Sequence, residues 1–114
     1  MIRPRGPDDR GSVAAEFAIV LPAVVVVIAI AAMTLGACAR QVRLQDAAAD
    51  AARLVARGEP AARAQGVVAS VAPGAAASIS YRDDLVCVVV SAPTGLPLPL
   101  PPMSAGSCAL AGGL

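Results

Sequence analysis

One carboxylate, Glu16, lies at the start of a long apolar stretch, where a charge is costly. The segment reads DRGSVAAEFAIVLPAVVVV from Asp9 to Val27, and no residue from Phe17 to Ala39 carries a charge. An acidic side chain costs about 3 kcal/mol at the centre of a bilayer and less toward its surface. Glu16 therefore needs water or a positive partner.

A positive partner for Glu16 would arise if the chain were cut after Gly11. The new α-amino group would belong to Ser12, four residues before Glu16. An amine on the same helix, or on a neighbouring chain shifted by one step, is a suitable counter-charge in a low-dielectric setting. Such a pair would fix the axial register of packed helices. The alternative is a headgroup-level carboxylate that only stabilises the helix dipole.

The three cysteines, Cys38, Cys87 and Cys108, are the other candidates for chemistry. Outside the cytoplasm, a bridge between Cys87 and Cys108 would close a loop of about 20 residues and contribute roughly 3 kcal/mol. Two unpaired thiols are the alternative. Cys38 ends the sequence LGAC, which partly resembles the cleavage site of lipid-anchored proteins, although the acidic residues before the apolar run fit that signal poorly. A small residue on a packed helix is the simpler interpretation of Cys38.

Several function classes are disfavoured by what the sequence lacks. The chain has no histidine, its cysteines do not have zinc-site spacing, and no phosphate-binding glycine pattern is present. Its formal net charge of +1 and 2% aromatic content give no basic or aromatic surface for nucleic acid. We therefore expect no enzyme, no cofactor, no metal, no nucleic-acid partner and no small-molecule substrate.

The elements that position these residues begin with one long helix. The chain is 57% hydrophobic and 15% charged, and the run from Phe17 to Ala39 is long enough to cross a bilayer once. Ser12 is a good N-cap, Pro22 lies inside the run, and Gly58 followed by Pro60 ends the helical pattern. We predict a leader over 1–11, a transmembrane helix over 12–39 and its extracytoplasmic extension over 40–58. The apolar side of that extension is assigned to Val42, Ala49, Ala52 and Val55.

The remainder is predicted to be a small, partly disordered region. Residues 59–92 combine a short Ala-rich helix over 61–72 with a β-hairpin, in which SISY (78–81) and LVCVVVSA (85–92) flank a polar turn. Residues 93–114 form a Pro- and Gly-rich tail, extended in its first half and mobile in its last. The predicted fold class is α+β: one long N-terminal helix, transmembrane in its first half, followed by a β-hairpin domain.

The segment GSVAAEFAIVLP, from Gly11 to Pro22, resembles the processing and assembly segment of type IV prepilins, and specifically of TadE-like pseudopilins of tight-adherence (Flp) pili. The sequence DAAADAARLVARG, from Asp46 to Gly58, is similar to the same family. The resemblance implies that a prepilin peptidase cleaves between Gly11 and Ser12. It also implies that Glu16, followed by Phe17 and Pro22, guides incorporation of the subunit.

The resemblance implies a structural protein, a minor pseudopilin stored in the cytoplasmic membrane for assembly of a tight-adherence pilus or a related secretion system. The expected partners are the membrane, prepilin peptidase and other pilin or pseudopilin subunits. Arginines flank the apolar run on both sides, so charge does not choose the orientation. The resemblance implies a cytoplasmic N-terminus and an extracytoplasmic C-terminal region. The alternatives are a lipid-anchored binding protein starting at Cys38 and an uncleaved single-span accessory subunit.

Overall fold

The structure, a computed structural model, describes residues 8–112, and the side chains of residues 11–112. Most of the predicted leader, residues 1–7 of 1–11, lies outside the described residues. Two helices and three strands follow one another along the chain: α1 Asp8–Ala56, α2 Ala61–Val71, β1 Ala76–Arg82, β2 Leu85–Ala92 and β3 Met103–Leu110. The chain divides into two compact units, Met1–Gly36 and Ala37–Leu114. The predicted α+β class with one long N-terminal helix is confirmed.

Helix α1 begins four residues before the predicted N-cap Ser12 and continues through Pro22. Acidic residues favour a helix N-terminus because they offset its positive dipole end, and the sequence supplies Asp8 and Asp9 there. The prediction that helical structure starts at Ser12 is therefore wrong by one turn.

The C-terminus of α1 is closed by a Schellman motif. The N–H of Glu59 donates to the carbonyl of Leu54 at 3.1 Å, and the N–H of Gly58 donates to the carbonyl of Val55 at 3.0 Å. Gly58 has φ of 87°, the left-handed conformation that this motif requires and that glycine adopts without a steric penalty. The predicted stop at Gly58 lies where the helix ends.

The three strands form one antiparallel sheet in the order β1-β2-β3. β1 and β2 make the predicted hairpin, and Asp83, with φ of 51°, lies in the tight turn between them. β3 differs from the prediction, which assigned residues 93–114 to a loose tail. Its sequence, MSAGSCAL, contains small and polar residues and no β-branched residue, so intrinsic propensity does not favour a strand. Pairing with the Val-rich β2 over Met103–Leu110 provides the stabilisation instead.

The hydrophobic core lies between the C-terminal part of α1, α2 and the sheet. The buried α1 residues recur with helical spacing: Leu44, Ala47, Ala48, Ala51, Ala52, Val55 and Ala56. They form one cluster with Val68 of α2 and with Val86, Val88 and Val90 of β2. Most of these helix residues are alanines, so the helix backbone can approach the sheet closely.

The predicted apolar side of the α1 extension is only partly correct. Ala52 and Val55 are buried, as expected, but Val42 is 59% exposed and Ala49 is half-buried. Leu44, which the prediction omitted, is fully buried. Alanines occur on several sides of this helix, so the sequence pattern does not single out one face.

Helix α1 also covers the outer edge of β3. Gln41 Nε2 donates to the carbonyl of Ser104 at 2.9 Å, and Gln45 Nε2 donates to the carbonyl of Gly106 at 3.1 Å. The N–H of Gly112 donates to the carbonyl of Ala56 at 3.0 Å. α1 therefore runs beside β3 in the same direction and satisfies edge carbonyls that would otherwise lack a protein partner.

Candidate functional site

The first unit exposes an apolar helical surface. All residues from 11 to 36 are exposed, including Phe17 at 69% and Ile19 at 74%. An 18-residue window of α1 has a mean hydropathy of 2.8 and no buried residue. Within residues 8–112 this is one helix long and apolar enough to cross a membrane, by length and composition. A soluble monomer rarely leaves so large an apolar surface uncovered, so lipid or other helices must cover it.

The sequence-predicted site residues Gly11, Ser12, Glu16, Phe17 and Pro22 all lie on the exposed first unit of α1. Glu16 follows Ser12 by four residues, which places the two on the same side of the helix one turn apart. Apart from its chain neighbours and the backbone of its own helix, no described atom lies within 4 Å of the position that a Cβ on Gly11 would occupy. Gly11 and Ser12 are both exposed.

Glu16 has no charged neighbour among the described side chains. The ion pairs of residues 11–112 are Arg53 with Asp50 at 3.6 Å and Arg63 with Glu59 at 3.1 Å, both on the second unit. A carboxylate within an apolar helical surface is costly in lipid without a partner or water. In lipid, Glu16 would therefore need a positively charged partner, or water, that the described side chains of this helix do not supply.

Small residues on the same apolar helix would permit close approach of another helix. Ala32 and Gly36 are four residues apart, the spacing of the small-residue motif that lets two membrane helices pack backbone to backbone. Ala29 precedes them by three residues and lies on the same side. As at Gly11, no described atom outside the chain neighbours and the backbone of the helix itself lies within 4 Å of the position that a Cβ on Gly36 would occupy. This surface is open to a neighbouring helix.

The second unit carries a disulfide between Cys87 of β2 and Cys108 of β3. The two residues are opposite each other in the strand register, with a Cα–Cα distance of 4.0 Å and an S–S distance of 2.03 Å. Cys38 is an exposed free thiol on α1. Sequence reasoning identified the two bridged cysteines but missed that Cys108 belongs to a strand, which is why the two side chains meet.

The described residues offer neither a metal site nor a groove with acid–base groups at the end of the sheet. Among residues 8–112, no three His, Cys, Asp or Glu side chains are grouped so that they could hold a metal ion. A shallow, open groove lies at one end of the sheet, between Ala76, Ala92 and the loop residues Leu96, Leu98 and Leu100. It has no titratable lining residue, so nothing in it indicates acid–base chemistry.

One family model matches part of helix α1. No curated protein and no solved structure gives a significant match to the chain. The family model described as TadE-like protein matches residues 11–53. This stretch starts at Gly11, contains Glu16 and the apolar run, and extends into the part of α1 that packs against the sheet. Residues 11–53 of this chain are therefore similar to the TadE-like family, consistent with a TadE-like pseudopilin.

Proposed function

We propose that this chain is a TadE-like minor pseudopilin, a structural subunit stored in the cytoplasmic membrane for a tight-adherence pilus or a related secretion system. The observation that carries the proposal is the TadE-like match over residues 11–53. The same residues form a helix whose apolar surface is exposed from residue 11 to residue 36. Such a helix can be held in lipid and later transferred to packing against other subunit helices.

Processing after Gly11 by a prepilin peptidase is the first step of this proposal. Gly11 has no side chain and no tertiary neighbour within 4 Å of its Cβ position, so a peptidase could reach the bond to Ser12. Cleavage would remove residues 1–11 and leave a positive α-amino group at Ser12. That group would start the apolar helix of the mature chain.

Assembly through Glu16 is the second step. In lipid, the carboxylate of Glu16 would be attracted to the α-amino group of Ser12, on its own chain or on a neighbouring subunit, because such pairs strengthen as the dielectric constant falls. Phe17 and Pro22 belong to the same assembly segment. The small residues Ala32 and Gly36 would allow close helix packing further along.

The orientation that we propose places Ala37–Leu114 outside the cytoplasm and the N-terminus inside it. The disulfide between Cys87 and Cys108 supports this orientation, because disulfides form and persist in oxidising compartments and are rare in the cytoplasm. The partners are then the membrane, prepilin peptidase and other pilin or pseudopilin subunits.

Determination of the mature N-terminus tests the proposal. The chain would be produced with and without an active prepilin peptidase, and its intact mass and N-terminal sequence would be measured. We expect a product that begins at Ser12 only when the peptidase is active, and no cleavage of a Gly11→Leu variant. A chain that still begins at Met1 with the active enzyme would contradict processing. A lipid-modified chain that begins at Cys38 would support the lipid-anchored alternative instead.

A further inference from the structure

The two ends of the sheet differ in charge. At one end, the turn between β1 and β2 exposes the charged residues 82–84. At the other end, β2 and β3 are joined by residues 93–102, PTGLPLPLPP, which we call the Leu-Pro loop. This loop has no charged side chain, yet Leu98 is 61% exposed and Leu100 is 49% exposed. Neighbouring exposed leucines without a charge among them are typical of a surface that contacts an apolar partner or a membrane.

The Leu-Pro loop contacts Arg40 of α1. The guanidinium Nη1 of Arg40 donates to the carbonyl of Pro93 at 3.1 Å, and the same group lies beside Gly95. Arg40 and the loop both belong to the unit Ala37–Leu114, so this contact is internal to that unit. Along the sequence, Arg40 is the first charged residue after the uncharged run Phe17–Ala39. The loop is therefore held at the point where the apolar run ends.

The packing of α1 beside β3, within the same unit, gives the loop the same position. α1 follows β3 from Gln41, next to Ser104, to Ala56, next to Gly112. β3 starts directly after the Leu-Pro loop, and the chain just beyond its far end is hydrogen-bonded to the charged turn 82–84. The Leu-Pro loop is thus level with the start of this contact, and the charged turn lies about 22 Å farther along the helix axis.

In a bilayer that holds the apolar run, Arg40 would lie at the level of the lipid headgroups. An arginine at the end of a membrane helix extends its guanidinium to the phosphate level while its methylene groups stay in apolar surroundings. The headgroup layer is roughly 5–7 Å deep on each side of the hydrocarbon core. A segment in contact with the guanidinium of Arg40 is then at or beside this layer, whatever the tilt of the helix.

We propose that the Leu-Pro loop inserts into the headgroup layer of the membrane that holds α1, with Leu98 and Leu100 at the boundary of the acyl chains. The partner is a phospholipid surface: Arg40 meets its phosphate groups, and the two leucines meet its apolar boundary. The inference rests on the proposed membrane anchoring of α1. It does not depend on cleavage after Gly11 or on assembly into a pilus.

The backbone of the loop is suited to such a layer. Irregular backbone is costly in lipid because N–H and C=O groups without a partner must leave water. Five of the ten loop residues are prolines, which have no N–H group. The N–H of Leu100 donates to the carbonyl of Leu98 at 2.8 Å. In residues 96–102 this leaves the N–H groups of Leu96 and Leu98, which water or headgroup oxygens can accept.

The fluorescence of a single tryptophan tests the proposal, because the chain contains no tryptophan. The full, uncleaved chain carrying Leu98→Trp, with its disulfide intact, is reconstituted into phosphatidylcholine vesicles. Tyr81→Trp is the matched control, because Tyr81 is 71% exposed and lies next to the charged turn. We expect blue-shifted emission from the Leu98→Trp chain and emission typical of water from the Tyr81→Trp chain. Lipid brominated close to the headgroup should quench the first and not the second.

A charge introduced into the loop supplies a second test, made in the Leu98→Trp chain. Leu100→Asp should lower the ratio of inserted to free loop by about tenfold or more, because burial of one leucine already contributes that factor. Quenching by the brominated lipid should fall accordingly. Leu110→Asp is the matched control: Leu110 is 53% exposed, close to the value for Leu100, but lies at the other end of the sheet. It should leave the quenching unchanged.

Val25→Trp, in the middle of the apolar run, separates this inference from the anchoring on which it rests. Lipid brominated near the ends of its acyl chains should quench the Val25→Trp chain if α1 spans the bilayer. Quenching there, together with water-like and unquenched emission from the Leu98→Trp chain, would overturn the loop inference alone. Absence of quenching in the Val25→Trp chain would contradict the anchoring and the inference together.

Three further results would overturn the inference. The first is blue-shifted emission from the Leu98→Trp chain that brominated lipid does not quench and that grows with the number of chains per vesicle, which would make a second copy the partner. The second is equal quenching of the Leu98→Trp and Tyr81→Trp chains, which would mean that no end of the sheet is preferred. The third is an equal effect of Leu100→Asp and Leu110→Asp.

Discussion

Replacing Cys87 and Cys108 by alanine would remove the link between the centre of the sheet and its last strand. The two residues are separated by 21 positions along the chain. For a loop of that length, the loss of chain entropy in the unfolded state corresponds to about 3.3 kcal/mol of stability. β3 has little strand propensity of its own, so the loss should be concentrated in its pairing with β2 and in the core beneath.

Hydrogen exchange at the β2 amides measures this loss. Val86, Val88 and Val90 are nearly or fully buried. Ser104 and Gly106 of β3 direct their carbonyls to α1, so the alternate β3 residues, which are paired with these valines, face β2, and the valine N–H groups face β3. A loss of about 3 kcal/mol makes their exchange more than 100-fold faster in the double alanine variant. Circular dichroism is less suitable because α1, with its 49 residues, dominates the signal.

A Cys38→Ala variant is the control for thiol chemistry. Cys38 is exposed and unbonded, so its replacement should leave exchange at the β2 amides unchanged. A change of less than about fivefold in the double variant, or an equal change in both variants, would refute the argument that the Cys87–Cys108 bridge holds β3 on the sheet.

The remaining predictions concern the second unit. Leu44→Ala should lower the free energy of unfolding by about 2–5 kcal/mol, because removing a fully buried side chain leaves a cavity. Val42→Ala should change it by no more than about 0.5 kcal/mol, because Val42 is 59% exposed. Exchange at the β2 amides measures both effects. Replacing Gln41 and Gln45 together by alanine should lower the free energy of unfolding by roughly 1–3 kcal/mol, because two edge carbonyls of β3 lose their hydrogen-bond donors. The same double variant should associate through the uncovered β3 edge as its concentration rises, which light scattering measures. Gly95→Ala should destabilise the loop before β3 by about 1 kcal/mol or more. Gly95 has φ of 73°, and a Cβ there would overlap the Arg40 guanidinium. A variant as stable as the unchanged chain would refute this prediction.

How far the fold follows from the sequence differs between elements. The uncharged run before Arg40 requires a long apolar helix, and the β-branched run Leu85–Ala92 requires a strand, so both could be predicted. The core-facing side of α1 could not be identified, because alanines surround the helix and Leu44 is its single buried leucine. Packing against the sheet determines which side of α1 is buried, and the spacing of its apolar residues does not.

The last strand shows the limit most clearly. Met103–Leu110 contains no β-branched or aromatic residue and follows a Pro-rich segment, so local signals indicate a loop. Its strand conformation comes from three long-range contacts: pairing with β2, the bridge to Cys87 and the donors from Gln41 and Gln45. These partners lie far along the chain, and local sequence reasoning cannot place them.

The candidate processing and assembly residues come from the sequence alone, and their roles stay a prediction. Gly11, Glu16 and Pro22 are unusual where they occur: a glycine before an apolar helix, a charge within it and a proline inside it. Each has a chemical reason that does not depend on tertiary contacts.

We propose that Glu16 directs the apolar helix, once it is cleaved, from the membrane into an assembly. The most direct test of this proposal compares the unchanged chain with Glu16→Ala and Glu16→Gln in cells that produce the pilus, measuring the share of mature chain in pili sheared from the surface. We expect both variants to remain in the membrane fraction while the unchanged chain enters the sheared fraction. Equal amounts of all three chains in the sheared pili would contradict it.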